Sequence, residues 1–155
     1  MKTLFPITLL ITFLGLTGCS PRNSGPEIEA QVIKATLLRV ESWSDAVAAA
    51  KNPPSPFVAK LEFIVSPQYE GKSIDEIIAL LPKDYPYTVV FLADERALEE
   101  KEFPFWCIDL LDEKKPRFRV EARQMASVAN NLELANMDFI EFAEAAKKTG
   151  VFRGF

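Results

Sequence analysis

The sequence predicts an α/β fold: a single domain over residues 31–155, with a mixed sheet of about five strands flanked by three to four helices. Three observations carry that expectation. Residues 87–93 (Tyr-Thr-Val-Val-Phe-Leu-Ala) are apolar almost throughout, as in a strand buried on both faces and therefore central in a sheet. Two segments, opening at Ser73 and Asp138, carry helix-start signals followed by helical periodicity. Strand-like and helix-like stretches alternate along the chain, which favours a sheet with helices packed on it.

The elements follow in order. Residues 32–40 are rich in Ile, Leu, Thr and Val and read as a first strand. Ser42 or Ser44 can cap a short helix running through Lys51, with Trp43, Val47 and Ala50 on one face. The run Asn52-Pro53-Pro54-Ser55-Pro56 breaks it. Residues 57–65 form a second strand, with Phe57, Ala59, Leu61, Phe63 and Val65 on one side and Lys60 and Glu62 on the other. Ser73 as N-cap and Glu76 three residues later make a capping box, and Ile74, Ile77, Ile78 and Leu81 then share a helix face that Pro82 ends. After the central strand, residues 97–101 suit one helical turn, 105–111 a fourth strand, 112–116 a polar turn, and 117–121 a fifth strand with Phe118 and Val120 inward.

Met125, Val128, Ala129 and Leu132 suggest another short helix, with Asn130-Asn131 ending it and residues 132–135 extended. The last helix is the best specified. Asp138 is its N-cap, Glu141 sits at N3, and Met137 and Phe142 fit a hydrophobic staple. Phe139, Phe142, Ala143 and Ala146 form the inward stripe, Lys147 and Lys148 lie at the negative end of the dipole, and Gly150 suits the position just past the end. Phe152 and Phe155 at the close of the chain suggest a tail that is tied down.

Ahead of the domain, Lys2 precedes an apolar run over residues 4–16, and Leu16-Thr17-Gly18-Cys19 follows. A positive start, a short apolar stretch and small residues before a cut are the parts of an export signal, and the run is short for a spanning helix, which needs about 20 residues. The tetrapeptide resembles the lipobox of bacterial lipoproteins. That resemblance implies cleavage after Gly18, so that residues 1–18 are a signal peptide. It also implies a diacylglyceryl thioether on Cys19, which would anchor the protein to a membrane of the cell envelope. Residues 19–30 are then the lipidated cysteine and a tether, beginning Ser-Pro-Arg-Asn-Ser-Gly-Pro.

Composition narrows the chemistry. There are 18 Lys and Arg against 22 Asp and Glu, a net charge of −4, and no clustered basic stretch, which argues against a nucleic-acid partner. The chain has no histidine, so Ser-His-Asp and Cys-His catalysis and His-containing zinc sites are excluded. With Cys19 committed to lipid, Cys107 is left unpaired and reads as a small buried core residue. No phosphate-cradling glycine loop or twelve-residue calcium loop is found, and the sequence implies no cofactor and no metal.

Asn131-Leu132-Glu133-Leu134-Ala135-Asn136-Met137-Asp138-Phe139, followed by Gly150-Val151-Phe152-Arg153-Gly154-Phe155, resembles the ending of a family of small bacterial proteins that form a domain of unknown function. Its members end in N-L-x-[I/L]-A-N-M-D-F … G-[V/I]-F-R-G-F. Tyr69-Glu70-Gly71, Leu80-Leu81-Pro82 and Phe118-Arg119-Val120 lie where that family has similar features, so the likeness extends over residues 37–155. It supports the fold and brings no activity with it. The lipid signal here is a departure from most members.

The candidate functional residues each have a structural alternative. Asn131, Asn136 and Asp138 could line a polar surface, or could cap backbone. Arg153 could hold a carboxylate of a ligand or partner, or could pin the tail to an acidic neighbour. Asp109 and Asp112 could do acid–base chemistry, or Asp112 could start the turn while Asp109 pairs with Arg117 or Arg119 across the hairpin. Trp43, Phe57, Phe63, Phe91, Trp106, Phe139 and Phe142 are expected mostly in the core. The expectation is a membrane-anchored, non-enzymatic domain that binds a protein partner, in one version an immunity-like protein meeting a basic toxin. The alternatives are a carboxylate-based hydrolase or glycan-binding or small-ligand domain, and a structural envelope protein.

Overall fold

The structure, a computed structural model, describes residues 28–34 and 40–155, with side chains from Ser42 onward apart from residues 59–60. The expected signal peptide, Cys19 and the polar part of the tether lie outside the described residues. The fold is mixed α/β. Its elements are β1 (Ile28–Lys34), α1 (Val40–Ala50), β2 (Ala59–Val65), α2 (Ile74–Ala79), β3 (Val89–Ala93), α3 (Glu95–Glu99), β4 (Pro104–Asp109), β5 (Arg117–Glu121), α4 (Met125–Glu133) and α5 (Phe139–Lys147). β3, β4 and β5 form an antiparallel run, while β1 lies parallel to both β3 and β2, giving the order β2-β1-β3-β4-β5.

β3 is buried at every position, and its alternating side chains feed two cores. Val89, Phe91 and Ala93 face one, with Phe105, Cys107, Phe118 and Val120 beside them and residues of α1, α3, α4 and α5 on top. Val90 and Leu92 face the other, with Ile108 and Trp106 beside them and Ile74, Ile77 and Ile78 of α2 covering. Trp43 and Phe63 pack at 6.0 Å on the first core, and Phe118, Phe142 and Phe152 form a ring cluster there, so most of the aromatic set is core. Cys107 is fully buried, and that burial raises its thiol well above the ordinary value. The expected inert core role fits.

The two capping signals hold. The Ser73 N–H donates to Glu76 at 2.8 Å and the Glu76 N–H to the Ser73 hydroxyl at 3.3 Å. The Asp138 N–H donates to Glu141 at 2.8 Å. The tail is tied down: the Phe152 N–H donates to Arg119 O at 2.7 Å, and the Glu121 N–H to Phe152 O at 3.0 Å.

Three expectations are corrected. The first strand runs from Ile28 to Lys34, and Val40, expected to close it, opens α1. Its limits are set by pairing with β2, from Ile28 opposite Ala59 to Lys34 opposite Val65, which local composition does not encode. Ser42 and Ser44 lie inside α1, which opens at Val40, and do not cap it. Asn130 and Asn131 do not end a helix at that point; α4 continues through Glu133, because each side chain bonds back to the turn before it, Asn130 to Ala126 O at 3.0 Å and Asn131 to Ser127 O at 2.8 Å. Residues 132–135 are accordingly not extended.

Candidate functional site

Two grooves stand out, one with an acidic rim and one with a basic lining. The first lies where the start of β3 and the end of β4 meet the connection from α4 to α5. It has a volume of about 250 Å³ and is walled by Val89, Leu132, Met137 and Phe139, with Asp109 and Asp138 at its edge. Of its lining residues, Leu111 is held out at 76 % exposure, and two further exposed apolar residues, Leu134 at 46 % and Ile140 at 59 %, are chain neighbours of the lining residues Ala135 and Phe139. Single exposed apolar residues are ordinary; one that lines a concave apolar surface adds to the apolar area open to solvent there.

The turn that shapes this groove is built from the Asn-rich motif. Leu134 closes α4, Ala135 adopts φ +51°, and the chain reverses. The Asn136 N–H donates to Asn131 O at 2.9 Å and the Ala135 N–H to Leu132 O at 3.1 Å. This is the double closure of a Schellman ending, here with alanine where glycine is preferred. Glu133 fastens the turn to the sheet by accepting from the Thr88 hydroxyl at 2.8 Å. Asn131 and Asn136 thus make the turn and do not present a polar surface together. Across the groove, Asp109 accepts from the Leu111 N–H at 2.8 Å and from Asp112 N–H at 3.4 Å, and Asp112 accepts from Lys114 N–H at 2.8 Å. Both carboxylates order the β4–β5 turn that holds Leu111 out.

The expected pairing of Asp109 with Arg117 or Arg119 does not occur. In the β4–β5 register Ile108 opposes Arg117 and Trp106 opposes Arg119, so both arginines share the face of Trp106 and Ile108 while Asp109 lies on the other. Arg119 instead binds Asp94, which sequence reasoning missed. The guanidinium donates to the two Asp94 oxygens at 2.9 and 2.5 Å and to Pro104 O at 2.8 Å, and it stacks 4.1 Å from the Trp106 ring. The Trp106 indole donates to Asp94 at 3.0 Å, and Asp94 also caps α3 through the Ala97 N–H at 3.0 Å. Burial of Asp94 works to raise its pKa. The hydrogen bonds from Arg119, Ala97 and Trp106 and the Arg119 charge outweigh it and hold the carboxyl below its ordinary value. The Asp94-Glu95-Arg96-Ala97 start, with Asp ahead of a helical turn, was the available signal for the cap; nothing local pointed to Arg119.

This network borders the second groove, of about 260 Å³, lined by Arg96, Trp106, Arg117, Phe118, Arg119 and Lys147 together with small residues of α5. Arg117 reaches Asp75 only at 3.6 Å. Arg153 lies elsewhere, donating to both Glu102 oxygens at 2.6 Å and to Thr149 at 2.9 Å, which pins the tail as its structural reading expected. Among the described residues no cluster of three or more Cys, Asp or Glu is placed to hold a metal ion, and no helix is long and apolar enough to cross a membrane.

A two-core α/β domain whose polar side chains are engaged in caps, turns and ion pairs, and whose concave surfaces are small, belongs to the class of compact domains with surface grooves. Residues 29–155 match the family model described as a domain of unknown function, DUF6924, and the chain belongs to that family. No curated protein matches the chain.

Proposed function

We propose that this protein is a lipid-anchored domain of the bacterial cell envelope that binds another protein through the acid-rimmed groove. The reading carries the export signal over residues 1–18, the lipid on Cys19 and a short tether, and takes the strands as one continuous five-stranded layer behind the groove. The observation that carries the binding assignment is Leu111, exposed at the wall of an apolar hollow that Asp109 and Asp138 also line, with exposed Leu134 and Ile140 next in the chain to the lining residues Ala135 and Phe139. An apolar centre with a charged rim is the usual anatomy of a protein contact, and the acidic rim suits a basic partner. In an immunity-like version, that partner is a basic toxin. The carboxylates support binding in preference to hydrolysis, because Asp109 and Asp112 serve turn amides and Asp138 begins α5.

The experiment is capture of partners from envelope extract on the immobilised protein, beside a Leu111→Asp/Ile140→Asp copy. One protein retained at near-stoichiometric yield and lost from the still-folded double variant supports the reading. Retention of the same proteins by both copies, or of none at low salt, overturns it.

A further inference from the structure

We propose that the second groove, beside the outer strand β5, takes an extended acidic peptide of a partner protein, which pairs with the free edge of β5 and sets its carboxylates among Arg96, Arg117, Arg119 and Lys147. The argument begins with the edge. The Asp109 N–H donates to Pro116 O, which fixes the alternation of the β4–β5 ladder: Phe118 and Val120 turn their backbone groups to β4, and Arg117, Arg119 and Glu121 turn theirs outward. The tail takes up one end of that edge, through the bonds of Phe152 to Arg119 O and of the Glu121 N–H to Phe152 O. The next groups along the edge are the Arg119 N–H and the Arg117 C=O, beside the groove. Gly150, with φ +80°, bends the tail away at this point and leaves the space open.

A donor and an acceptor side by side select the ligand. Phosphate is chiefly an acceptor and has no fixed spacing of donor and acceptor to match a strand edge, whereas a peptide strand supplies both groups in register. The volume of about 260 Å³ is also smaller than the roughly 300–1,000 Å³ of enclosed small-molecule sites, and it suits a strip of chain lying across the surface.

Charge then selects the peptide. No carboxylate lines the groove, although the whole chain carries a net charge of −4. The acidic partners of the cations lie outside the lining: Glu100 for Arg96, Asp75 for Arg117, Asp94 for Arg119 and Glu144 for Lys147. The Arg96, Arg117 and Lys147 pairs are solvent-exposed and therefore weak, so an arriving carboxylate can replace or join them. Arg119 is held rigid by Asp94 and Pro104, and its Nε–H is not used by either. Because side chains on one face of a strand recur every second residue, the fitting sequence alternates acidic and apolar residues, with the apolar ones toward Phe118 and α5.

The test is fluorescence anisotropy of the full chain with a labelled, end-blocked peptide of alternating Val and Glu at low salt. Binding is expected, weakening as salt rises, and at least tenfold weaker for Arg117→Glu/Lys147→Glu. Replacing Glu by Lys, or methylating the backbone nitrogens of alternate residues in the peptide, should abolish it. Leu111→Asp should leave it unchanged, which separates this groove from the acid-rimmed one. Lack of binding at millimolar peptide overturns the proposal. So do undiminished binding of the methylated peptide, equal displacement by inorganic phosphate, or a double variant that alters self-association and not peptide affinity.

Discussion

The two grooves lie on the same small domain and are built in opposite ways. The acid-rimmed groove is made by local hydrogen bonds: Asp109 to the amides of Leu111 and Asp112, Asn131 O to the Asn136 amide, Asp138 and Glu141 within one helical turn. The basic groove is made by one buried charge network that joins α3, β4 and β5, with Arg119 reaching Asp94 25 residues away in sequence. In the first, polar groups settle the backbone and leave apolar side chains outside. In the second, polar groups settle each other and draw the elements together. The lesson is that the exposed apolar Leu111 of the first groove is free of structural duty, while Arg119 at the centre of the second is not.

That contrast can be broken by mutation. The largest effect is expected for Arg119→Met. It leaves Asp94 half-buried with fewer donors and should cost about 2–3 kcal/mol in denaturant unfolding, somewhat below the range for fully buried pairs because Asp94 retains 36 % side-chain exposure. A loss below about 0.5 kcal/mol would show that the network does not join the elements. The pH dependence sharpens the same point. Asp94 has a folded pKa below its unfolded value, so its contribution is fully present above about pH 4 and is lost as pH falls through the lower, folded value. Urea midpoints measured between neutral and strongly acidic pH should therefore fall more steeply for the native chain than for Asp94→Asn.

In the acid-rimmed groove the expected changes are smaller. Ala135→Gly relieves a left-handed alanine at the Schellman position and should stabilise the fold by about 1 kcal/mol, read as a higher Tm. Leu111→Asp, at a side chain 76 % exposed, should shift stability by about 0.5 kcal/mol or less while weakening partner capture. If it unfolds the domain, the side chain has a structural role and the groove loses its clearest binding residue.

The same local-versus-distant division explains what the sequence could reveal. The Ser73–Glu76 and Asp138–Glu141 boxes, the buried strand around Phe91 and the inward Phe118 and Val120 depend on neighbours within a few residues or on simple periodicity, and each was legible. The limits of β1 and the partner of Arg119 depend on residues far away in the chain, and both were misread. The Asn130-Asn131 pair misled because asparagine is favoured at helix ends, whereas here each side chain bonds back within α4. Of the candidate residues, Asp109 lines the acid-rimmed groove, but its expected partner, Arg117 or Arg119, is replaced by the amides of Leu111 and Asp112. Leu111, Leu134 and Ile140 gave no signal, since exposure of an apolar side chain is settled by the packing of the whole domain.

The most direct test of the account is amide hydrogen exchange on the captured complex against the free protein. Added protection over residues 110–114 and 134–141, with the sheet amides unchanged, is the predicted result. Protection confined to other surfaces, with these two segments exchanging as in the free protein, would contradict the assignment of the acid-rimmed groove as the partner-binding face.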